Sequence, residues 1–188
     1  YYTTDNTSPD PSDPQDRYQK GTTIPIYKEG TTILEAARGA GIYIPSLCYD
    51  PDLKPYGACR LCVVEVEGRE ELVRSCMTPV EDGMVVHTNT ERVRATRRRV
   101  LEIIKADHAN NCQQCPKNER CELQEISRFV GVETFQADRL AWPATPDQSH
   151  PLINLDRRRC VLCARCVRTC EEIQGVGALE ISGVGFSS

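Results

Sequence analysis

Aromatic side chains are scarce, at 6% of 188 residues with a single tryptophan, and hydrophobic residues reach only 39% while 27% are charged. A chain so poor in large apolar groups buries a limited core, and several small lobes then need staples, either disulfides or metals. No run of 18 apolar residues occurs, so no membrane-spanning helix is expected. No basic segment followed by an apolar one opens the chain, so no secretory leader is read, and a soluble protein of a reducing compartment, the cytoplasm, is expected. The first residue is Tyr1 rather than Met, as expected of an N-terminus that is processed, unseen or cut. There is no basic excess: 23 Lys and Arg stand against 27 Asp and Glu, for a net charge of −4. That disfavours a nucleic-acid binder. No glycine-rich phosphate loop follows a strand and no nucleophile–base arrangement is apparent, so residues 1–188 encode no nucleotide site and no substrate-converting site.

What the chain has in quantity is cysteine, eleven in all. They fall in CxxC-type clusters and their number is odd, both of which favour metal binding over disulfides. The first set is Cys48-x10-Cys59-x2-Cys62-x13-Cys76. Four such thiols can hold one tetrahedral metal or two sulfide-bridged irons. A zinc ribbon usually pairs two CxxC knuckles, whereas this set has one, and small Gly57 and Ala58 let backbone amides approach the sulfurs. An iron–sulfur site is favoured, with zinc as the rival. The second set is His108-x3-Cys112-x2-Cys115-x5-Cys121, enough for a four-cornered cluster or for zinc held by three cysteines and a histidine. An isolated histidine is more often a surface or capping residue, but this one stands just ahead of three cysteines. Pro116 fits a tight loop within the set. The third set, Cys160-x2-Cys163-x2-Cys166-x3-Cys170, is a bacterial ferredoxin run, in which the fourth cysteine of two-cluster proteins ligates the other cluster. Cys160, Cys163 and Cys166 would then hold three corners of one [4Fe-4S] cluster and Cys170 one corner of a further one, so that the chain is expected to stop inside a two-cluster domain. The alternative is one cluster held by all four.

Between these sets the sequence reads as an α+β protein. Residues 1–20 are rich in Pro, Ser and Asp and are expected to form a flexible tail. Residues 21–90 read as a small mixed sheet with one helix. A strand carries Ile24 and Ile26, a helix in "TTILEAARGAG" is capped by Thr31 or Thr32 with Glu35 in its first turn and ends at Gly39 or Gly41, and strands lie in "RLCVVEVEG", "ELVRSCMTPV" and "MVVHTNT". Residues 91–135 read as a helix with an apolar stripe of Val93, Val100, Leu101, Ile103 and Ile104, followed by the second cysteine set. Arg97, Arg98 and Arg99 read as a solvated or subunit-facing helix face. Residues 136–150 read as a linker, anchored by Trp142, and 151–188 as a short strand, the third set and a helix start. Arg157, Arg158, Arg159, Arg165 and Arg168 are open to two readings, cations that offset cluster charge or a solvated face pairing with Glu171 and Glu172. His87 and His150 lack cysteine neighbours and read as structural or exposed.

The stretch "EGTTILEAARGAGIYIPSLC" with the first cysteine set resembles the [2Fe-2S] domain, a β-grasp ferredoxin, of the complex I 75-kDa-subunit-like group. That group includes NAD-linked and iron-only hydrogenases and NAD-linked formate dehydrogenases. The spacing of the second set, followed by Glu122, Leu123 and Gln124, resembles the histidine-ligated [4Fe-4S] site of the same group. The tail "CVRTCEEIQGVGALEISGVGF" resembles the N-terminal region of the catalytic (alpha) subunit of NAD-linked molybdenum or tungsten formate dehydrogenases, and Cys170 disfavours the complex I version. Two departures are visible: Glu171 rather than Pro follows Cys170, and no first hairpin strand is evident ahead of Thr22. The resemblance implies one [2Fe-2S] and two to three [4Fe-4S] clusters forming an electron wire. It further implies a flavin/NAD-binding diaphorase-type subunit and a catalytic domain or subunit as partners, with molybdenum- or tungsten-pterin, FMN and NAD held elsewhere in the complex.

Overall fold

A computed structural model describes residues 29–109, 111–132 and 145–183. The expected tail, the strand at Ile24 and Ile26, and Trp142 lie outside the described residues. Helix α1 (Ile33–Gly39) starts where a Thr-x-x-Glu capping box sets it: the Thr32 hydroxyl accepts from the Glu35 amide, and the Glu35 carboxylate accepts from the Thr32 amide at 2.8 Å. The chain leaves through Gly41, whose φ of 75° suits a glycine. Ile33, Leu34, Ala36 and Ala37 face inward.

Three strands form one sheet in the order β2-β1-β3, with β1 (Val63–Val66) central and antiparallel to both β2 (Val73–Arg74) and β3 (Val86–His87). The register pairs Val64 with Val73 and Val66 with Val86. Only two residues of "ELVRSCMTPV" pair as strand: the Ser75 amide and hydroxyl still donate to the Cys62 carbonyl, and the chain then turns, the Met77 and Thr78 amides donating to the Arg74 carbonyl. Helix α1 and this sheet enclose a first core of Ile33, Leu34, Ile44, Val64, Val66 and Val86, into which Cys62 and Cys76 are built.

Helix α2 (Glu91–Asp107), capped by Thr90, packs on β1 and on helix α3 (Glu122–Val130). Its buried face departs from the sequence reading. Val93, Arg97, Leu101 and Lys105 succeed one another at i, i+4 spacing and are all withdrawn from water, Arg97 at 1% exposure. Ile103, expected inside, is 58% exposed. Arg97 therefore does not belong to a solvated face. A second core joins Leu47 and Leu61 to Leu101, Leu123, Ile126 and Val130, with Val161 packed against it. It ties all three expected lobes together.

The expected linker stops short of residue 150, since Asp147–His150 forms β4, antiparallel to β5 (Ile153–Leu155). A 3-10 turn (Arg157–Arg159) leads to helix α4 (Arg165–Arg168), which runs on into one π turn, Thr169–Ile173. No described helix is long and apolar enough to cross a membrane.

Candidate metal centres

All eleven cysteines are free thiols. In the first set Cys48, Cys62 and Cys76 are buried and Cys59 is half-buried. The Cys62 and Cys76 sulfurs lie 3.4 Å apart. The Cys59 amide donates to Cys48 Sγ at 3.5 Å and the Leu47 amide to Cys59 Sγ at 3.4 Å. Two residues of the loop have left-handed backbone, Gly57 (φ 64°) and Arg60 (φ 58°), a conformation that turns successive amides toward one side. At Gly57 the small residue is also a steric demand: a Cβ there would stand 2.2 Å from Met77 Sδ.

The thiols form two unequal pairs. The hydrogen bond from the Cys59 thiol holds Cys48 down at about 5 against the effect of burial, helped by the Cys59 and Ala58 amides and by the charge of Arg168. The Cys76 thiol likewise holds Cys62 at about 6 despite its burial. Cys59 and Cys76, as donors in these pairs, are pushed up by their thiolate partners and by burial. Thiolate rather than thiol is the metal-binding form, and the downward direction at Cys48 and Cys62 favours that form in one member of each pair. The donor chemistry fits a thiolate-ligated cluster.

In the second set the expected ligands converge. His108, Cys112, Cys115 and Cys121 all line one cavity of ≈ 220 Å³, together with Lys105, Lys117, Asn118 and Gln124. His108 ends α2 and its Nδ1 is enclosed, while Cys112 opens a 3-10 turn and Cys121 caps α3. The loop from Cys115 to Cys121 is closed by a feature that the spacing alone does not reveal. Gln124 donates to Asn118 Oδ1 at 2.9 Å and accepts from the Glu119 amide at 3.1 Å. Three sulfurs and an imidazole around one roomy cavity fit an iron–sulfur cluster. Among the described residues no three His, Cys, Asp or Glu side chains close tightly enough on one point to hold a single metal ion.

The third set is the most open. Cys160 and Cys166 are exposed, and Cys163 and Cys170 half-buried. Leu162 (φ 52°) and Ala164 (φ 56°) sit in left-handed backbone between the cysteines, and the Leu162 amide donates to Cys160 Sγ at 3.4 Å. Farther on, the Ala178 amide reaches Cys170 Sγ at 3.2 Å. The surrounding arginines divide by role. Arg158 and Arg159 pair with Asp156, Arg158 by two nitrogens at 2.8 and 2.9 Å. Arg165 bridges Glu122 and the Tyr49 carbonyl, both at 2.7 Å. Arg168 is buried, donates to the carbonyls of Cys48 and Lys54, and lies 5.1 Å over the Tyr56 ring. Neither Arg165 nor Arg168 pairs with Glu171 or Glu172 among the described contacts. Glu172 instead accepts from the Lys54 amide. The sets also approach one another: the Ala109 amide, beside His108, donates to the Arg158 carbonyl at 2.7 Å, and Cys59, Cys121 and Cys163, one from each set, all border the second core.

Comparison with known proteins follows the same division. Residues 21–91 match the profile described as a 2Fe-2S iron-sulfur cluster binding domain. Residues 97–135 match the NADH-ubiquinone oxidoreductase-G iron-sulfur binding region, and residues 150–188 the ferredoxin-like domain of NADH-quinone oxidoreductase subunit 3. The NADP-reducing hydrogenase subunit HndD of Solidesulfovibrio fructosivorans is 39% identical over 90% of this chain and 29% of its own length. The NADH-ubiquinone oxidoreductase 75 kDa subunit of Reclinomonas americana is 37% identical over 84% of this chain and 23% of its own. The chain thus spans less than a third of these curated relatives. Among solved structures, a chain of an NAD+-reducing [NiFe]-hydrogenase is similar at 38% identity and a TM-score of 0.78, covering 90% of this chain and 69% of that one. With a [2Fe-2S] domain and [4Fe-4S] regions in this order, the chain belongs to the family of complex I 75-kDa-type iron–sulfur regions, which hydrogenase subunits share.

Proposed function

We propose that this chain carries electrons through a series of iron–sulfur clusters within an NAD(P)-linked oxidoreductase complex. The observation that supports this best is the convergence of His108, Cys112, Cys115 and Cys121 on one cavity. In this reading Cys48, Cys59, Cys62 and Cys76 hold the [2Fe-2S] cluster, and His108 and its three cysteines a [4Fe-4S] cluster. Cys160, Cys163 and Cys166 hold three corners of another, and Cys170 belongs to a further one. Bound clusters supply one-electron acceptance and release. The residues of the chain do the rest. Amides of Leu47, Cys59, Leu162 and Ala178 donate to cysteine sulfurs, an interaction that tunes potential. The first core keeps water from Cys62 and Cys76. Arg165 and Arg168 hold α4, which carries Cys166 of the third set, against the loop that carries Cys48. The second core, shared by Leu47, Leu101 and Val161, supports a division into lobes of 21–90, 91–135 and a third that takes in β4 from Asp147 on.

Within the family, the tail from Cys166 to Phe186 supports a formate dehydrogenase complex, in which formate is oxidised at a pterin-bound molybdenum or tungsten and a flavin subunit reduces NAD+. The likeness to hydrogenase chains supports a hydrogenase as second reading. Anaerobic addition of NADH or NADPH to the assembled complex tests the function: the visible absorbance of the clusters bleaches and reduced-cluster EPR signals appear. A complex whose chain stays colourless and contains zinc overturns it. Formate against H2 as the electron source separates the two complexes.

A further inference from the structure

Arg97 is the most completely buried charged side chain of the described protein, at 1% exposure. Its Nε donates to the Leu61 carbonyl at 3.1 Å and its Nη2 to the Val63 carbonyl at 2.8 Å, so the guanidinium grips the backbone on both sides of Cys62. Two carbonyls orient a cation but do not neutralise it. No carboxylate pairs with Arg97 among the described residues: the ion pairs of the neighbouring arginines join Arg92 to Glu65 and Arg99 to Glu102. A buried charge without a counter-charge is expensive enough that the fold should not retain it. Between those two carbonyls stands Cys62, buried in the first core, and its sulfur as a thiolate ligand would supply the missing negative charge. Burial lowers the Arg97 pKa to about 10, which leaves the guanidinium charged at neutral pH.

We propose that Arg97 is the buried counter-charge of the first cluster site, a positioning residue that orients Cys62 and raises the reduction potential of the [2Fe-2S] cluster. The inference rests on the reading that Cys62 ligates that cluster. Reduction adds one negative charge to the cluster. A fixed cation behind a ligand, in a medium of low dielectric constant, favours that added charge more than water would. The arrangement also explains why α2 places an arginine between Val93 and Leu101 on its inner face. The guanidinium keeps its charge there at neutral pH, whereas a lysine loses it more readily.

The test is EPR-monitored redox titration of the full chain or complex carrying Arg97→Gln, Arg97→Met or Arg97→Lys. Both neutral variants are expected to shift the [2Fe-2S] midpoint negative, lowering the ratio of reduced to oxidised cluster at a fixed potential about tenfold, or about 59 mV for a one-electron couple. Arg97→Lys at neutral pH stays near the wild type, and the [4Fe-4S] signals do not move. A loaded neutral variant with an unchanged [2Fe-2S] midpoint overturns the proposal, because a purely structural clamp alters stability and not potential. Should neither neutral variant load the cluster, Arg97→Lys decides. A buried ammonium titrates readily, so its midpoint becomes pH-dependent, with Cys62 and Tyr43 as the titratable groups that act on this position among the described residues; a profile as flat as the wild type overturns the proposal. Absence of any [2Fe-2S] signal in the wild type is a different failure, that of the ligand reading itself.

Discussion

The first and third cysteine sets have equal numbers of thiols and are built in opposite ways. Cys62 and Cys76 belong to a closed core between a helix and a sheet, whereas Cys160 and Cys166 lie at the surface and residues 171–183 are exposed throughout. The first site takes its shape from the fold around it. The third takes its shape from left-handed turns within the cysteine run and from arginines that reach across to the first lobe. A mutation therefore acts through the global core in one case and through local anchoring in the other.

The largest contrast is expected from ligand removal. Cys62→Ser deletes a buried ligand and leaves a hydroxyl in an apolar core, and should cost on the order of 4 kcal/mol together with the [2Fe-2S] signal. Cys160→Ser should abolish one [4Fe-4S] signal yet change global stability by less than about 0.5 kcal/mol. Denaturant unfolding paired with EPR checks both, and equal destabilisation by the two would break the comparison. A smaller effect isolates the bridge between the regions. Arg168→Ala removes two buried charge-assisted hydrogen bonds and the Tyr56 contact, for about 2 kcal/mol. Limited proteolysis should then cut near residues 171–183 faster while the first lobe persists. The smallest effect lies in α1. Thr32→Ala removes the cap, for about 1 kcal/mol. Burial tends to raise the Glu35 carboxyl, but hydrogen bonds from the Thr32 amide and hydroxyl and the Tyr49 hydroxyl, with the Arg38 charge, outweigh it and hold it below the usual glutamate range. A depressed carboxylate stabilises above its unfolded pKa and loses that contribution as pH falls through the folded value. Glu35→Gln should thus flatten the acid limb of the stability profile below about pH 4.5 and leave neutral pH little changed.

The grouping of His108, Cys112, Cys115 and Cys121 around one cavity and the capping box were legible because each is local: a few residues at fixed spacing carry the signal. The short sheet was legible from its valines, though a turn closed on the Arg74 carbonyl makes β2 shorter than its sequence promises. The buried cations were not. Arg97 and Lys105 occupy the same i, i+4 stripe as Val93 and Leu101, and a reading by hydropathy places any cation outside. Only the fold shows that carbonyls of Leu61, Val63 and Val132 accept from them. Arg168 is the same case at longer range, since its partner carbonyl at Cys48 is distant in sequence. Ile103 lies about 200° round the helix from Leu101, on the opposite face, and is exposed for that reason.

The central claim, that these cysteine sets hold several iron–sulfur clusters, is tested most directly by iron and acid-labile sulfide determination on the anaerobically purified chain, combined with low-temperature EPR after stepwise reduction. The account predicts a brown protein with iron and sulfide in comparable amounts, one [2Fe-2S] signal and at least two distinguishable [4Fe-4S] signals. A colourless protein with zinc and no labile sulfide, or a single paramagnetic species after full reduction with iron to match, would contradict it.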